Sequence, residues 1–356
     1  MAKLAVRDAV EGDAPKVAML LGSDPDVDPI ERARLPAVWH WLHFEHPHRA
    51  HKVMVGEDER GAIVGHAALL PFLYRIEGRE RIGGFQCQLA VREDVRSTGL
   101  FLRLMRKALA EHRQAGFDFV YSLVTRPAVL DGYVALGFHR VGKVPVAARP
   151  VRLHPIVEKL SGRPTLVRPL APLMHAADRG LALLTPRRAG AIQVVRASKL
   201  EAEQIAALDR AYVDQPCVAV RNEAILRWRF EASPRPEYRL FLALADGRMA
   251  GMMVLRSMPM KGLPTLAVVD LAADGDLAAL ALLGEAERLA RAEGAALLAT
   301  LLLRHGRFRR VFRRMGFIET PESFTFVVHR DKGSGTPPVP LALEDWQLSF
   351  FEHDFV

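Results

Sequence analysis

Leu89-Ala90-Val91-Arg92-Glu93-Asp94-Val95-Arg96-Ser97-Thr98-Gly99-Leu100-Phe101 reads as a strand, a tight turn and the start of a helix. The apolar run Phe85–Val91 gives the strand, and Arg96 and Gly99 lie in the polar turn. From Leu100 to Ala115 the residues Phe101, Leu104, Met105, Ala108 and Leu109 fall on one helical stripe, and Gly116 closes the helix. A turn of this kind aims several backbone N–H groups at one point, at the positive end of a helix dipole, which makes a site for a phosphate or pyrophosphate. Gly99 lets the backbone approach such a group with no Cβ in the way.

Outward from this turn, the first part of the chain predicts alternating strands and helices. Leu4–Arg7 is a strand, Asp13–Leu21 a helix with Asp13 as N-cap and Pro15 in its first turn, and Lys52–Val55 with Ala62–Leu70 a hairpin. Phe119–Val124 is a further strand, and Ala128–Leu136 a helix closed by Gly137. The same landmarks recur in the same order at offsets between 178 and 189 residues. Val6-Arg7 returns as Val195-Arg196, Trp41 and Pro47 as Trp228 and Pro234, Gly65 as Gly251, Gly116 as Gly294, and Gly137-Phe138 as Gly316-Phe317. A period of a whole domain indicates tandem duplication, not a solenoid. The second copy is about eight residues shorter in its middle, between Gly251 and Gly294.

Arg96-Ser97-Thr98-Gly99-Leu100-Phe101 resembles the R/Q-x-x-G-x-G/A acyl-CoA loop of the GNAT superfamily of N-acyltransferases, with Phe101 in place of the usual small residue. Val6-Arg7, Ile63-Val64-Gly65 and Tyr133-Val134-Ala135-Leu136-Gly137-Phe138 match family landmarks in the family's order. The resemblance covers about residues 4–148 well and about 192–329 as an architectural echo. It implies an α/β (α+β) fold of two GNAT-like domains, each a mixed, mainly antiparallel central sheet flanked by helices. It also implies acetyl-CoA, or another acyl-CoA, as cosubstrate. The backbones of Leu89, Ala90 and Val91 would hold the pantetheine and Arg96 through Phe101 the pyrophosphate. Tyr133 would be the general acid that protonates the departing thiolate. A backbone N–H of Leu89 or Ala90 would stabilise the oxyanion.

The base is left open by the residues. The strand before the turn offers Gln86 and Gln88, either of which can orient a water, and His66 on the neighbouring strand can accept a proton. Cys87 between them has the character of a small buried hydrophobe more than of a nucleophile. In Trp39-His40-Trp41-Leu42-His43-Phe44-Glu45-His46-Pro47-His48, Trp41 and His43 are candidates for contact with the substrate. His40 and His43 can share a helix face, yet nothing completes a metal site, and no metal is expected. The second copy has Asp270-Leu271-Ala272-Ala273-Asp274-Gly275-Asp276 where the phosphate turn should be, and Phe312 where Tyr133 should be. It is expected to keep the fold and to have lost acyl-CoA binding.

Composition bounds the remaining choices. The chain has 356 residues, 50% hydrophobic and 25% charged, with 49 Lys+Arg, 41 Asp+Glu and a net charge of +8, which is a globular and not a disordered composition. Two cysteines, Cys87 and Cys217, are too few for a disulfide framework. The start lacks an apolar signal core, and the longest apolar run, Ala295 to Leu303, is about half of a bilayer span, so a cytoplasmic protein is expected. The expected blocks are an acyltransferase domain over 1–148, a basic proline-rich connector over 149–190, a degenerate domain over 191–330 and a tail over 331–356. Between Arg149 and Arg188, eight Lys/Arg face only Glu158 and Asp178. The plain reading is a solvated connector, and the other is peripheral contact with an anionic surface. The arginines of Arg304–Arg314 are read as the solvated face of an amphipathic helix with Phe308, Val311 and Phe312 in the core. Nucleic acid is therefore not an expected partner. The functional expectation is an acetyl-CoA-dependent N-acyltransferase acting on a primary amine of an unidentified small-molecule or other acceptor. The rivals are a Fem-type aminoacyl-tRNA-dependent transferase and a non-catalytic acyl-CoA-binding protein.

Overall fold

The computed structural model describes residues 4–24, 27, 29–183, 192–212, 215–235, 238–330 and 339–353. The first elements are β1 (Ala5–Asp8), α1 (Ala14–Leu21), α2 (Pro29–Phe44), β2 (Lys52–Glu57), β3 (Ile63–Ile76) and β4 (Arg79–Val91). They are followed by α3 (Leu100–Glu111), β5 (Phe119–Val124), α4 (Pro127–Ala135) and β6 (Phe138–Pro150). Next come α5 (Leu153–Ser161), α6 (Pro164–Val167), α7 (Ala171–Leu183), β7 (Ile192–Ala197), α8 (Ala202–Ala211), β8 (Cys217–Ala219) and α9 (Glu223–Leu226). The chain then adds β9 (Arg239–Ala245), β10 (Arg248–Met260), β11 (Leu263–Ala273), α10 (Asp276–Ala292), β12 (Leu297–Leu301), α11 (Arg309–Arg314), β13 (Ile318–His329) and β14 (Trp346–Gln347). Among the described residues no helix is long and apolar enough to cross a membrane.

The chain divides into two compact units, each assembled from separated segments. One is Met1–Lys143 with Gln215–Arg235 and Phe324–Trp346; the other is Val144–Asp214 with Pro236–Ser323 and Gln347–Val356. The contiguous blocks expected from the sequence differ from this division, because strand pairing overrides sequence adjacency. In the first unit the sheet order is β1-β2-β3-β4-β5 and then the end of β13, where Thr325–His329 run antiparallel to Val120–Val124. In the second it is β7-β9-β10-β11-β12 and then the end of β6, where Val146–Pro150 run antiparallel to Leu297–Leu301. Each sheet is therefore closed by the last strand of the other copy. All pairs within each sheet are antiparallel except β4 with β5 and β11 with β12.

The local chemistry accounts for these elements. Strands β3 and β4 are longer than the periodicity predicts because Glu77 and Gly78, both at positive φ (49° and 77°), make a two-residue turn between Ile76 and Arg79. Lys261 and Gly262 repeat that turn between β10 and β11. Helix α3 buries Leu100, Leu104, Met105 and Ala108 in the first unit's core, with Phe101 and Leu109 partly buried beside them. Asp13 stands at the N-cap of α1, but its carboxylate turns back to accept from the Val10 amide and from Arg7 at 2.7 and 2.9 Å. In the second unit Phe308, Val311 and Phe312 are buried around α11, as the amphipathic reading predicts. The expected connector contains three helices. Pro155, Pro164 and Pro172 each fall in the first turn of one, where a missing N–H leaves no helical bond unmade.

Trp41 and Trp228, matched by the internal repeat, stack within the first unit with ring centroids 4.5 Å apart. Each indole N–H donates to the other residue's carbonyl at 3.2 Å. This reciprocal pair carries the duplication into the core.

Candidate functional site

Strands β4 and β5 pair in parallel over only three positions, Gly83–Phe85 with Phe119–Tyr121. The Ser122 hydroxyl then donates to the Gln86 carbonyl at 3.0 Å, and beyond that point no further pair links the two strands. Cys87–Val91 thus edge a gap that starts at Ser122. Tyr133, on α4, is buried with its hydroxyl in the neighbourhood of Ser122. Burial pushes that hydroxyl well above the usual tyrosine range, against a smaller opposing effect of Ser122, so Tyr133 carries its proton at neutral pH.

The other end of the gap is the predicted turn. Residues Glu93–Thr98 form a 3₁₀ turn that buries Val95, and the Thr98 hydroxyl donates to the Val95 carbonyl at 2.6 Å. Gly99 takes the left-handed conformation (φ 73°) as the N-cap of α3, and a Cβ placed there would meet nothing within 4 Å. No side chain caps this helix, and its first backbone bond runs from the Arg103 amide to the Gly99 carbonyl. The amides of the first turn therefore face open space at the positive end of the helix. The Arg96 guanidinium donates to the Val91 carbonyl at 3.1 Å, whereas Arg92 is bound to Asp94 and Asp58.

Phe101, the departure from the loop pattern, turns away from the turn toward α4. Its ring lies edge-on to Tyr133 with centroids 6.2 Å apart, and a Cβ on Gly132 would come within 2.4 Å of it. The missing side chain at Gly132 makes room for the extra one at Phe101. Sequence reasoning overlooked Gly132, although a glycine beside the tyrosine was its visible signal.

A bulge in β4 is held by groups from two elements. The register slips between His66 and Ala68, and Gln88 adopts a positive φ of 49°. The Trp39 indole donates to His66 Nε2 at 2.9 Å, which leaves the proton on Nδ1 to be donated to the Gln88 carbonyl at 2.7 Å. The Gln88 side-chain oxygen accepts from His43 Nε2 at 2.9 Å. The structure thus brings His43, His66 and Gln88 together and corrects the expectation for His66. Both of its nitrogens are occupied, and burial lowers its pKa to about 4, so it holds the bulge and is not a base. Trp39, four residues before His43 on α2, is the member that sequence reasoning missed. Trp41 is also corrected: buried against Trp228, it offers no surface to a substrate. Gln86 is buried, with its side-chain amide donating to the Cys87 carbonyl at 3.2 Å. His40 lies between Glu11 and Glu45, and no cluster fit for a metal ion occurs among the described residues.

The second unit repeats the frame, with side chains hydrogen-bonded to the equivalent backbone. Strands β11 and β12 also pair over three positions, and the Thr300 hydroxyl donates to the Val268 carbonyl as Ser122 does to Gln86. The carbonyl of Leu271, matching Leu89, is taken by the buried Tyr212 hydroxyl at 2.7 Å. Helix α10 starts directly after Asp274 and Gly275, without the 3₁₀ turn, and Arg307 donates to the Asp274 carbonyl.

Residues 18–141 match the model of the acetyltransferase (GNAT) family. The fold is similar to that of a GCN5-related N-acetyltransferase from Kribbella flavida, with TM-score 0.60 and 15% identity over 92% of this chain and 71% of that one. It is similar also to Saccharomyces cerevisiae N-myristoyltransferase with bound myristoyl-CoA, with TM-score 0.63 and 14% identity over 97% and 84%. A third similar structure is a probable N-acyltransferase from Enterococcus faecalis, with TM-score 0.60 and 10% identity over 92% and 71%. At these identities the likeness is one of fold. A comparison with curated protein sequences finds no match.

Proposed function

We propose that residues 18–141, which match the model of the acetyltransferase (GNAT) family, form an acyltransferase domain, and that the first unit transfers an acetyl group from acetyl-CoA to a primary amine. The observation that carries this reading is the parting of β4 and β5, with Tyr133 near Ser122 where the gap begins and the uncapped start of α3 at its far end. In this reading the pantetheine adds along Leu89, Ala90 and Val91, and the diphosphate accepts hydrogen bonds from the amides at Arg96–Phe101. The amine nitrogen attacks the thioester carbonyl carbon, and a backbone N–H of Leu89 or Ala90 stabilises the oxyanion. The C–S bond then breaks, Tyr133 gives its proton to the departing sulfur, and the proton shed by the attacking nitrogen passes to solvent, from which Tyr133 is reprotonated. With His66 fully engaged, the amine is taken in its neutral form from solvent. The second unit serves the fold, with the Leu271 and Asp274 carbonyls taken by Tyr212 and Arg307.

The test is release of free thiol from acyl-CoA in the presence of a panel of primary amines, repeated over a series of acyl-chain lengths. Amine-dependent release that is greatest with acetyl-CoA supports the reading. A maximum at long chains replaces the acyl group and keeps the mechanism, and binding without any amine-dependent release overturns the assignment as an enzyme.

A further inference from the structure

Helices α5, α6 and α7 in the second unit present an unusual surface. Leu160, Leu170 and Leu173 are 82%, 49% and 70% exposed, and Pro169, Pro172, Ala176 and Ala177 are exposed beside them in sequence. Arg152, Lys159, Arg163, Arg168 and Arg179 are exposed in the same segment. Of its two acids, Asp178 is buried and accepts from the Leu153 amide at 2.9 Å, and Glu158, 37% exposed at its side chain, stands 3.8 Å from His154. Across residues 152–179 those five exposed basic residues thus face one partly exposed carboxylate.

We propose that this helical segment docks on an anionic phospholipid bilayer, the basic side chains meeting lipid phosphates while Leu160, Leu170 and Leu173 enter the headgroup boundary. Surface-lying helices need both contributions, since charge alone or a few apolar groups alone bind a bilayer weakly and reversibly. Nucleic acid is the other polyanion such a surface could meet. Residues 152–179 contain no Phe, Tyr or Trp on which a base could stack, and exposed leucines contribute nothing to phosphate binding. The docking is independent of the acyl-CoA reading, since it concerns the other unit.

Co-sedimentation of the full chain tests it, with vesicles of phosphatidylcholine alone and of phosphatidylcholine mixed with phosphatidylserine. Binding to the mixed vesicles only, weakening as salt is raised, is expected. The variant K159Q/R163Q/R168Q should lower that binding on the order of a hundredfold. The variant L160Q/L170Q/L173Q should lower it at least tenfold while leaving the charge intact. All six side chains are exposed, so both variants should keep the parent's melting curve, and that is measured first. Binding that survives either triple substitution, or binding of a mixed-sequence RNA with none to the anionic vesicles, overturns the proposal.

Discussion

Gly99 offers a clean separation of backbone from charge. It holds φ at 73° with no atom within 4 Å of where a Cβ would stand. Any L-residue there carries about 1–2 kcal/mol of left-handed strain, so Gly99→Ala and Gly99→Glu share that cost and neither adds a clash. They differ in a carboxylate beside the amides of the first turn of α3. At about 6 Å from one phosphate charge, repulsion is about 0.7 kcal/mol in bulk-like dielectric and about 3 kcal/mol at an effective constant of ~20. Two such charges give a loss of about tenfold in affinity in bulk-like dielectric, and even one gives about a hundredfold at the lower dielectric. The assay is calorimetric titration of acetyl-CoA into the parent protein and both variants, with thermal melts alongside. The parent should bind one equivalent, Gly99→Ala should bind within about threefold of it, and Gly99→Glu should lose at least about tenfold. Equal affinities for the two variants would refute a diphosphate at this helix terminus. A parent protein that binds neither acetyl-CoA nor a longer acyl-CoA would refute the acyl-CoA reading itself.

Other consequences are as direct. Tyr133→Phe removes the only hydroxyl that α4 brings to the gap, so kcat should fall about 10²–10⁴-fold with KM for acyl-CoA little changed; undiminished thiol release in steady-state assays would remove Tyr133 from the chemistry. His43 and His66 are buried with pKa values lowered to about 3 and about 4 from 6.5, so each favours the folded state above pH 6.5 and loses that contribution as pH falls toward its folded value. At pH 5 the unfolded chain has taken up protons that the folded one has not, for about 2 kcal/mol per histidine; urea midpoints that match at pH 7.5 and pH 5 would contradict this. Trp228→Ala opens the stack with Trp41 and strands the Trp41 carbonyl. It should cost about 3–5 kcal/mol in chemical denaturation, and a loss below about 1 kcal/mol would show the pair to be peripheral.

What could be read beforehand follows a physical division. The turn from Arg96 to Gly99 and the stripe on α3 were legible because each depends on residues within a turn or two of one another, whereas Tyr133 was singled out through the family resemblance alone. The duplication was legible through Trp41 and Trp228, whose spacing the structure turns into a hydrogen-bonded stack. The exchange of β6 and β13 had no such signal, since strand partners about 150 and about 200 residues apart leave no local pattern. The bulge at Gln88 was equally hidden: a glutamine gives no warning of a positive φ, and the groups that hold it come from α2 and β3. Gly132 gained its meaning only with Phe101 beside it. The proline-rich stretch after β6 was read as a connector, whereas Pro155, Pro164 and Pro172 each stand in the first turn of a helix.

The exchanged strands also set a timetable. The sheet holding the candidate site is closed by Thr325–His329, residues that follow nearly the whole of the second unit in sequence. During synthesis the nascent first unit has an open edge along β5 until the ribosome has released those residues. Val120 to Val124 would meanwhile offer an apolar strand edge to any neighbour. Expression of the first block alone would leave that edge permanently uncovered. The two copies are thus bound to mature together, and neither could have been shed after the duplication without unmaking the other.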